Sequence, residues 1–102
     1  MLVIGSVIPR EAAEIIFDAD FEQAATDYLK LGLDLDPLRR AALIDMLFNL
    51  GLPKVRRFVH FLAYLREKNW IKAAIELMDS EYARQLPERA MRNRGRILGR
   101  RE

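Results

Sequence analysis

The sequence predicts an all-α fold, a compact bundle of five to six helices around a single core. Apolar residues recur at the i, i+3, i+4 and i+7 spacing of amphipathic helices along most of the chain. No segment of the 102 residues alternates apolar and polar side chains as a half-buried strand does. Proline, glycine and capping side chains stand where helices would begin and end. These observations define one helical domain, residues 1–102.

The first predicted helix spans residues 8–32 and follows a short apolar head at residues 1–7. Pro9 fits the first helical position, where its missing N–H is harmless, and Glu11 lies near the positive end of the helix dipole. Helical spacing of apolar residues continues to Gly32. A helix of this length is unusual in so small a domain.

The central helix is predicted between Asp36, a capping residue followed by a proline, and Gly51, with Pro53 beyond it. Nine apolar residues between these limits leave almost no polar face, which is typical of a helix buried in the middle of a bundle. This helix opens the predicted core of the domain, residues 36–92.

Four further helices complete the predicted core. The first is amphipathic, and Asn69 would cap the next. Ser80 would cap a short fifth helix, and Pro87 would begin a sixth that fades at Gly95 or Gly99. The inward stripe of the amphipathic helix is Val55, Phe58, Val59, Leu62 and Leu65. The principal core residues are predicted to be Leu43, Leu47, Phe58, Leu62 and Trp70.

Charge is segregated along the chain. Residues 1–36 carry two basic side chains against eight acidic ones, whereas residues 84–102 carry seven arginines against Glu88 and Glu102. Either the arginines meet an anionic partner, or the two ends of the chain lie near each other in the fold. Residues 93–102 are predicted to form a basic tail. Few aromatic residues lie among these arginines and no groove-reading motif is present, so nucleic-acid binding is only weakly indicated.

Composition argues against several classes of protein. No apolar run approaches the roughly 20 residues that span a bilayer, and the start lacks the basic residues and cleavage site of a signal peptide. We therefore expect a soluble chain that is cytoplasmic on synthesis. The chain has no cysteine and one histidine, His60, so we predict no bound metal and no cofactor. His60 is expected to be a surface or boundary residue rather than a catalyst.

Three motifs resemble the substrate-binding carboxyl-terminal lobe of phage-type lysozymes, the endolysins. They are Ala-Ala-Leu-Ile-Asp-Met-Leu-Phe-Asn-Leu-Gly at residues 41–51, Trp70-x-x-Ala-Ala74 and Pro87-x-Arg89-x-x-Arg92. The resemblance runs from residue 38 to residue 92. It extends more weakly back to Ile8, where the segment up to Asp20 is similar to the family's inter-lobe helix. It implies a lysozyme-like helical lobe, and it implies that the lobe carrying the catalytic carboxylates is absent from this chain.

The family's catalytic spacing, Glu-x8-Asp-x5-Thr, does occur here as Glu11, Asp20 and Thr26. An inverting glycosidase needs its two carboxyls about 6.5–9.5 Å apart across the scissile bond. On one helix Glu11 and Asp20 would be roughly 13–14 Å apart and on opposite faces. A hairpin is not supported either, because no glycine, asparagine or proline lies between Glu11 and Thr26. We therefore predict no catalytic residue among them.

The resemblance implies a binding cleft to which several residues contribute. Asn49 would hydrogen-bond an acetamido group or simply satisfy the helix end, and Tyr82 would stack on a sugar or close the core. In the family, the arginine that matches Arg89 pairs with the catalytic glutamate. Loss of the catalytic lobe would thus leave Arg89 and Arg92 without carboxylate partners. The predicted binding residues are Phe48, Asn49, Gly51, Tyr82, Arg89 and Arg92.

Three functions are compatible with this sequence. The interpretation we favour is a non-catalytic lysozyme-like lobe that binds peptidoglycan glycan or a protein partner. The alternatives are a muramidase, a glycoside hydrolase acting on peptidoglycan, or one part of such an enzyme, and a basic helical module that binds nucleic acid. Because loss of the catalytic lobe would uncover apolar surface, we also expect a protein partner or a homo-oligomer, a two-fold dimer involving residues 1–7, Ile15, Ile16 and Phe17.

Overall fold

The computed structural model describes residues 21–100, and no strand occurs among them. The all-α fold is confirmed. The helices are α1 (residues 21–30), α2 (Pro37–Leu50), α3 (Leu52–Arg56), α4 (Val59–Arg66), α5 (Trp70–Met78), α6 (Glu81–Gln85) and α7 (Pro87–Ile97). Within this range no helix is long and apolar enough to cross a membrane. The predicted apolar head and the predicted first helix before residue 21 lie outside the described residues.

Most helix limits follow from the capping residues. The Asp36 carboxylate accepts a hydrogen bond from the backbone N–H of Arg39 at 3.3 Å, and α2 ends at Gly51, whose φ is +87°. Asn69 caps α5 and Ser80 caps α6 in the same way, by accepting from backbone N–H groups three residues further on. The predicted beginnings of α2, α5 and α6 are therefore confirmed.

A single amphipathic helix was predicted from Val55 onward, and this prediction is wrong. The chain forms two helices here, α3 and α4, which are separated by Arg57 and Phe58. Phe58 has φ −79° and ψ 63°, and the N–H of Val59 donates to the carbonyl of Arg57 at 2.8 Å. These are the features of an inverse γ-turn. The turn changes the register of α4, so that Phe61 is buried whereas Val59 is 64% exposed. Phe61 thus takes the inward place predicted for Val59.

The core lies between α2 and the helices that follow it along the chain. Helix α2 packs against α3 and α7, and α5 contacts α4, α6 and α7. Leu43, Leu47 and Leu62 are buried as predicted, whereas Phe58 and Trp70 are only partly buried and pack against the core from its edge. The guanidinium of Arg39 lies 3.9 Å from the Trp70 ring centroid, a cation–π contact that covers the indole.

The arginine-rich end of the chain belongs to the bundle as far as Ile97. Helix α7 continues past residue 92, and its side chains at Asn93 and Ile97 are fully buried. The Arg39 Nε donates to the Ile97 carbonyl at 2.7 Å, which ties the start of α2 to the end of α7. The chain leaves α7 at Gly99, where φ is +86°. The boundary between core and basic tail that charge suggested therefore falls inside a packed helix.

Candidate binding site

A buried polar network lies where α2, α6 and α7 meet, and Asn93 is at its centre. The Asn93 side chain is 0% exposed. Its Nδ2 donates to Asp45 Oδ2 at 2.9 Å and to the Tyr82 hydroxyl at 3.0 Å, and its Oδ1 accepts from Arg96 Nη1 at 2.7 Å. Both amide hydrogens and the carbonyl are thus engaged, which offsets the cost of burying the amide.

Asp45 provides the negative end of this network. Besides Asn93, it accepts a hydrogen bond from Arg89 Nη1 to Oδ1 at 2.9 Å, and the two residues form an ion pair. The expectation that Arg89 lacks a carboxylate partner is therefore wrong. The partner comes from the central helix of this chain, and such charge-assisted hydrogen bonds are the stronger kind.

The network fixes the orientation of the Asn49 amide. A carboxylate only accepts hydrogen bonds, so Asn93 must turn its Nδ2 toward Asp45. The Tyr82 hydroxyl then accepts from Asn93 and gives its single hydrogen to Asn49 Oδ1 at 3.2 Å. The Nδ2 of Asn49 has no hydrogen-bond partner within residues 21–100, so it is the group of this amide that is left to donate a further hydrogen bond.

A cleft of about 260 Å³ adjoins this network at Tyr82. Gly51 shapes it, because its positive φ ends α2 and turns the chain into α3, which supplies one wall. Tyr82 is only 2% exposed and its hydroxyl is engaged in the network. Of its two predicted roles, this burial favours closing the core over stacking on a sugar. The lining residues are Leu50, Lys54, Arg57, Phe58, Glu81, Tyr82 and Gln85.

Burial keeps the Tyr82 hydroxyl protonated. It raises the pKa of Tyr82 above the ordinary value of 10.0, and the negative charge of Asp45 raises it further. The hydroxyl therefore retains the hydrogen that it donates to Asn49 throughout the neutral pH range.

The structure does not bring all predicted site residues together. Asn49, Tyr82 and Arg89 share one network through Asp45 and Asn93, as described above. Phe48 is partly buried and packs against the core. Arg92 is exposed and lines a different cleft on α7.

The spacing match at Glu11, Asp20 and Thr26 gains no support. Thr26 is exposed within α1, so it stands on a helix rather than on a hairpin. Glu11 and Asp20 lie outside the described residues. His60 is exposed on α4, in agreement with the prediction of a surface or boundary residue.

The sequence reasoning missed Asp45 and Asn93, the two residues that organise the network. A signal for Asp45 was present, because it is the one polar residue between Ala41 and Phe48, and a charged group in such a stretch must have a partner to offset its desolvation. Asn93 follows Arg89 by four positions, which places both on one face of α7. Only the packing of α7 on α2 brings that face to Asp45.

No protein-family profile matches this sequence. The chain is 41% identical over 59 residues to "Probable T4-type lysozyme 2" of Dictyostelium discoideum, an alignment that covers 58% of this chain and 35% of that relative. It is 29% identical over 92 residues to "Probable T4-type lysozyme 1" of the same organism, covering 84% of this chain and 54% of the relative. The chain thus spans between a third and about half of the length of these curated relatives. These matches confirm the resemblance read from the motifs: the chain is similar to T4-type lysozymes over the part of their length that it covers.

Proposed function

We propose that this chain is a lysozyme-like lobe that binds peptidoglycan and does not itself cleave it. The main support is the Asn49 amide, whose carbonyl is held by Tyr82 so that its Nδ2 remains as a fixed donor. The matching ligand group is a hydrogen-bond acceptor such as the carbonyl of an acetamido sugar or of a peptide. Peptidoglycan contains both groups.

The cleft beside Tyr82 suits a short piece of such a ligand. Its volume of about 260 Å³ lies just below the range of roughly 300–1,000 Å³ that small-molecule sites occupy. Phe58 offers an apolar surface, while Lys54 and Glu81 offer polar groups of opposite charge. A mixed lining of this kind matches a sugar, which has apolar ring faces and polar edges.

The described residues also support a role in binding rather than in hydrolysis. Each oxygen of Asp45 accepts a hydrogen bond from within the network, one from Arg89 and one from Asn93. A carboxylate held in this way serves structure, whereas a general acid must deliver a proton to the leaving group.

The names of the relatives favour a second candidate, a muramidase of which this lobe is one part. In that case the lobe would hold the glycan while residues elsewhere in a longer chain cleave it. The two candidates share the binding site at Asn49 and differ in whether glycosidic bonds are broken.

Binding to purified, insoluble peptidoglycan tests the proposal. Asn49→Asp keeps the oxygen that accepts from Tyr82 but replaces the free donor by an acceptor, so binding should weaken by about tenfold. Lys30→Gln, which makes the same change in net charge on α1, should bind like the wild type. Equal binding by Asn49→Asp and the wild type would refute the proposed donor.

The same incubation tests whether this chain cleaves the glycan by itself. We expect the purified chain to release no reducing ends above a boiled control, because in both candidates its residues hold the glycan and do not cut it. Release above that control would refute the non-catalytic role.

The expected dimer is also a proposal. The segment that was expected to form it, residues 1–7 with Ile15, Ile16 and Phe17, lies outside the described residues. Apolar side chains at Ile71 and Ile75, one turn apart on α5, are exposed. Light scattering at micromolar concentration, with and without residues 1–7, measures whether the chain associates through its head.

A further inference from the structure

A second cleft, of about 300 Å³, lies along α7 and shares no lining residue with the cleft beside Tyr82. Three guanidinium groups and one carboxylate line it, which gives a net formal charge of +2. We call it the arginine cleft. Its lining residues are Glu88, Met91, Arg92, Arg94, Gly95 and Arg100.

The three arginines of this cleft lack the carboxylate partners that several other arginines of the described chain have. Arg39, Arg84 and Arg89 each form an ion pair with a carboxylate. Within residues 21–100, the side chains of Arg92, Arg94 and Arg100 form neither an ion pair nor a hydrogen bond.

Arg94 is the most informative of the three. Its side chain is partly buried, and its Nε is a buried donor without any hydrogen-bond partner. A buried donor on a charged group that lacks an acceptor is destabilising, and such atoms are rare in folded proteins. Residues 21–100 supply no acceptor for this atom.

The helix dipole gives only part of the explanation. Arginines in the last turn of a helix interact favourably with its free carbonyl groups, which accounts for the charge at Arg94. It does not account for Arg92, which lies in the middle of α7. Nor does a favourable dipole provide the Nε of Arg94 with an acceptor.

We propose that the arginine cleft binds a phosphate group, either as inorganic phosphate or as the phosphate of a larger ligand. Guanidinium groups form paired hydrogen bonds with phosphate oxygens, and those of Arg92, Arg94 and Arg100, which line the cleft, would donate them. The dianion balances the net charge of +2 in the cleft. The volume of about 300 Å³ leaves room beside the phosphate for the group that carries it. This site is independent of the proposed peptidoglycan binding.

Proton–nitrogen NMR spectra of the full chain test the proposal, because the Nε–Hε groups of arginines give their own signals. The protein is titrated with inorganic phosphate at constant pH and ionic strength, and the Arg94 signal should shift and saturate. Arg92→Gln and Arg94→Gln should each weaken binding by about tenfold or more, since each removes charge-assisted hydrogen bonds. Arg84→Gln is the control: it makes the same change in net charge on an exposed residue outside the cleft, and it should weaken binding by less than about twofold.

The amide signals in the same spectra show whether each variant is folded. If Arg94→Gln fails to fold, Arg94→Lys keeps the charge, removes the planar fork and should still bind phosphate more weakly than the wild type. Tighter binding of glucose 1-phosphate than of inorganic phosphate would identify a larger phosphate-bearing ligand as the natural occupant, and equal binding would identify free phosphate. A response that does not saturate, equal weakening by Arg84→Gln, or acetate binding as tight as that of phosphate would overturn the proposal.

Discussion

Replacing Tyr82 by phenylalanine isolates the contribution of one hydroxyl to the buried network. The ring and its packing remain, but the Nδ2 of Asn93 loses an acceptor at 3.0 Å in a site from which water is excluded. A buried donor left without a partner costs about 1–3 kcal/mol. The Asn49 side chain also loses its partner, but it is half-exposed and its oxygen can accept from water instead, so this loss adds little to the change in stability. We therefore expect Tyr82→Phe to lower the free energy of unfolding by about 1–3 kcal/mol.

Urea denaturation measures this change, with the slope m expected to stay constant because the surface exposed on unfolding is nearly the same. Tyr64→Phe is the matched control. Tyr64 is half-buried, and among the described contacts its ring meets Lys72 while its hydroxyl donates to no residue. Its replacement should change stability by less than about 0.5 kcal/mol. If both variants lose the same stability, the network around Asn93 does not stabilise the fold as argued.

Three further predictions concern the scaffold. Leu47→Ala removes a side chain that is 3% exposed and should cost about 2–5 kcal/mol in urea denaturation; an unchanged midpoint would contradict the central place of α2. Asp36→Ala should cost about 0.5–2 kcal/mol at neutral pH. The hydrogen bond from Arg39 lowers the pKa of Asp36, so its stabilisation is present above pH 3.8 and is lost as the pH falls through the folded pKa. The free energies of unfolding of the wild type and of Asp36→Ala should thus become equal in acid, and a difference that stays constant with pH would contradict this. Gly99→Ala and Gly32→Ala both place a side chain at positive φ, so each should lower the melting temperature. Gly99→Ala should lower it more, because its Cβ would lie 3.1 Å from Arg39 Nη2. An equal fall in both variants would show that the Arg39 side chain moves away without cost.

Helix limits could be predicted from the sequence because they depend on short-range chemistry. Asp36, Asn69 and Ser80 each cap a helix by accepting from an N–H three residues away. Gly51 ends α2 because its positive φ suits glycine. Such signals involve neighbours along the chain, so no knowledge of the tertiary structure is needed to read them.

The break at Phe58 could not be predicted in the same way. The apolar spacing from α3 into α4 is compatible with one continuous helix, and neither glycine nor proline marks the turn between Arg57 and Val59. The burial of Phe61 in place of Val59 depends on how α4 packs against α5, a contact that helical spacing alone does not specify.

The orientation of the Asn49 amide shows why site chemistry was the least predictable part. An asparagine is equally a donor and an acceptor, so the sequence left open which group would face a ligand. The choice is made by Asp45, which can only accept and therefore directs each hydrogen bond through Asn93 and Tyr82 toward Asn49. Asp45 has no part in lining the cleft, yet its charge determines that a ligand at Asn49 must bring an acceptor. The chemistry of this surface is thus set by a residue of the central helix, and only the packing of α6 and α7 on that helix makes the connection.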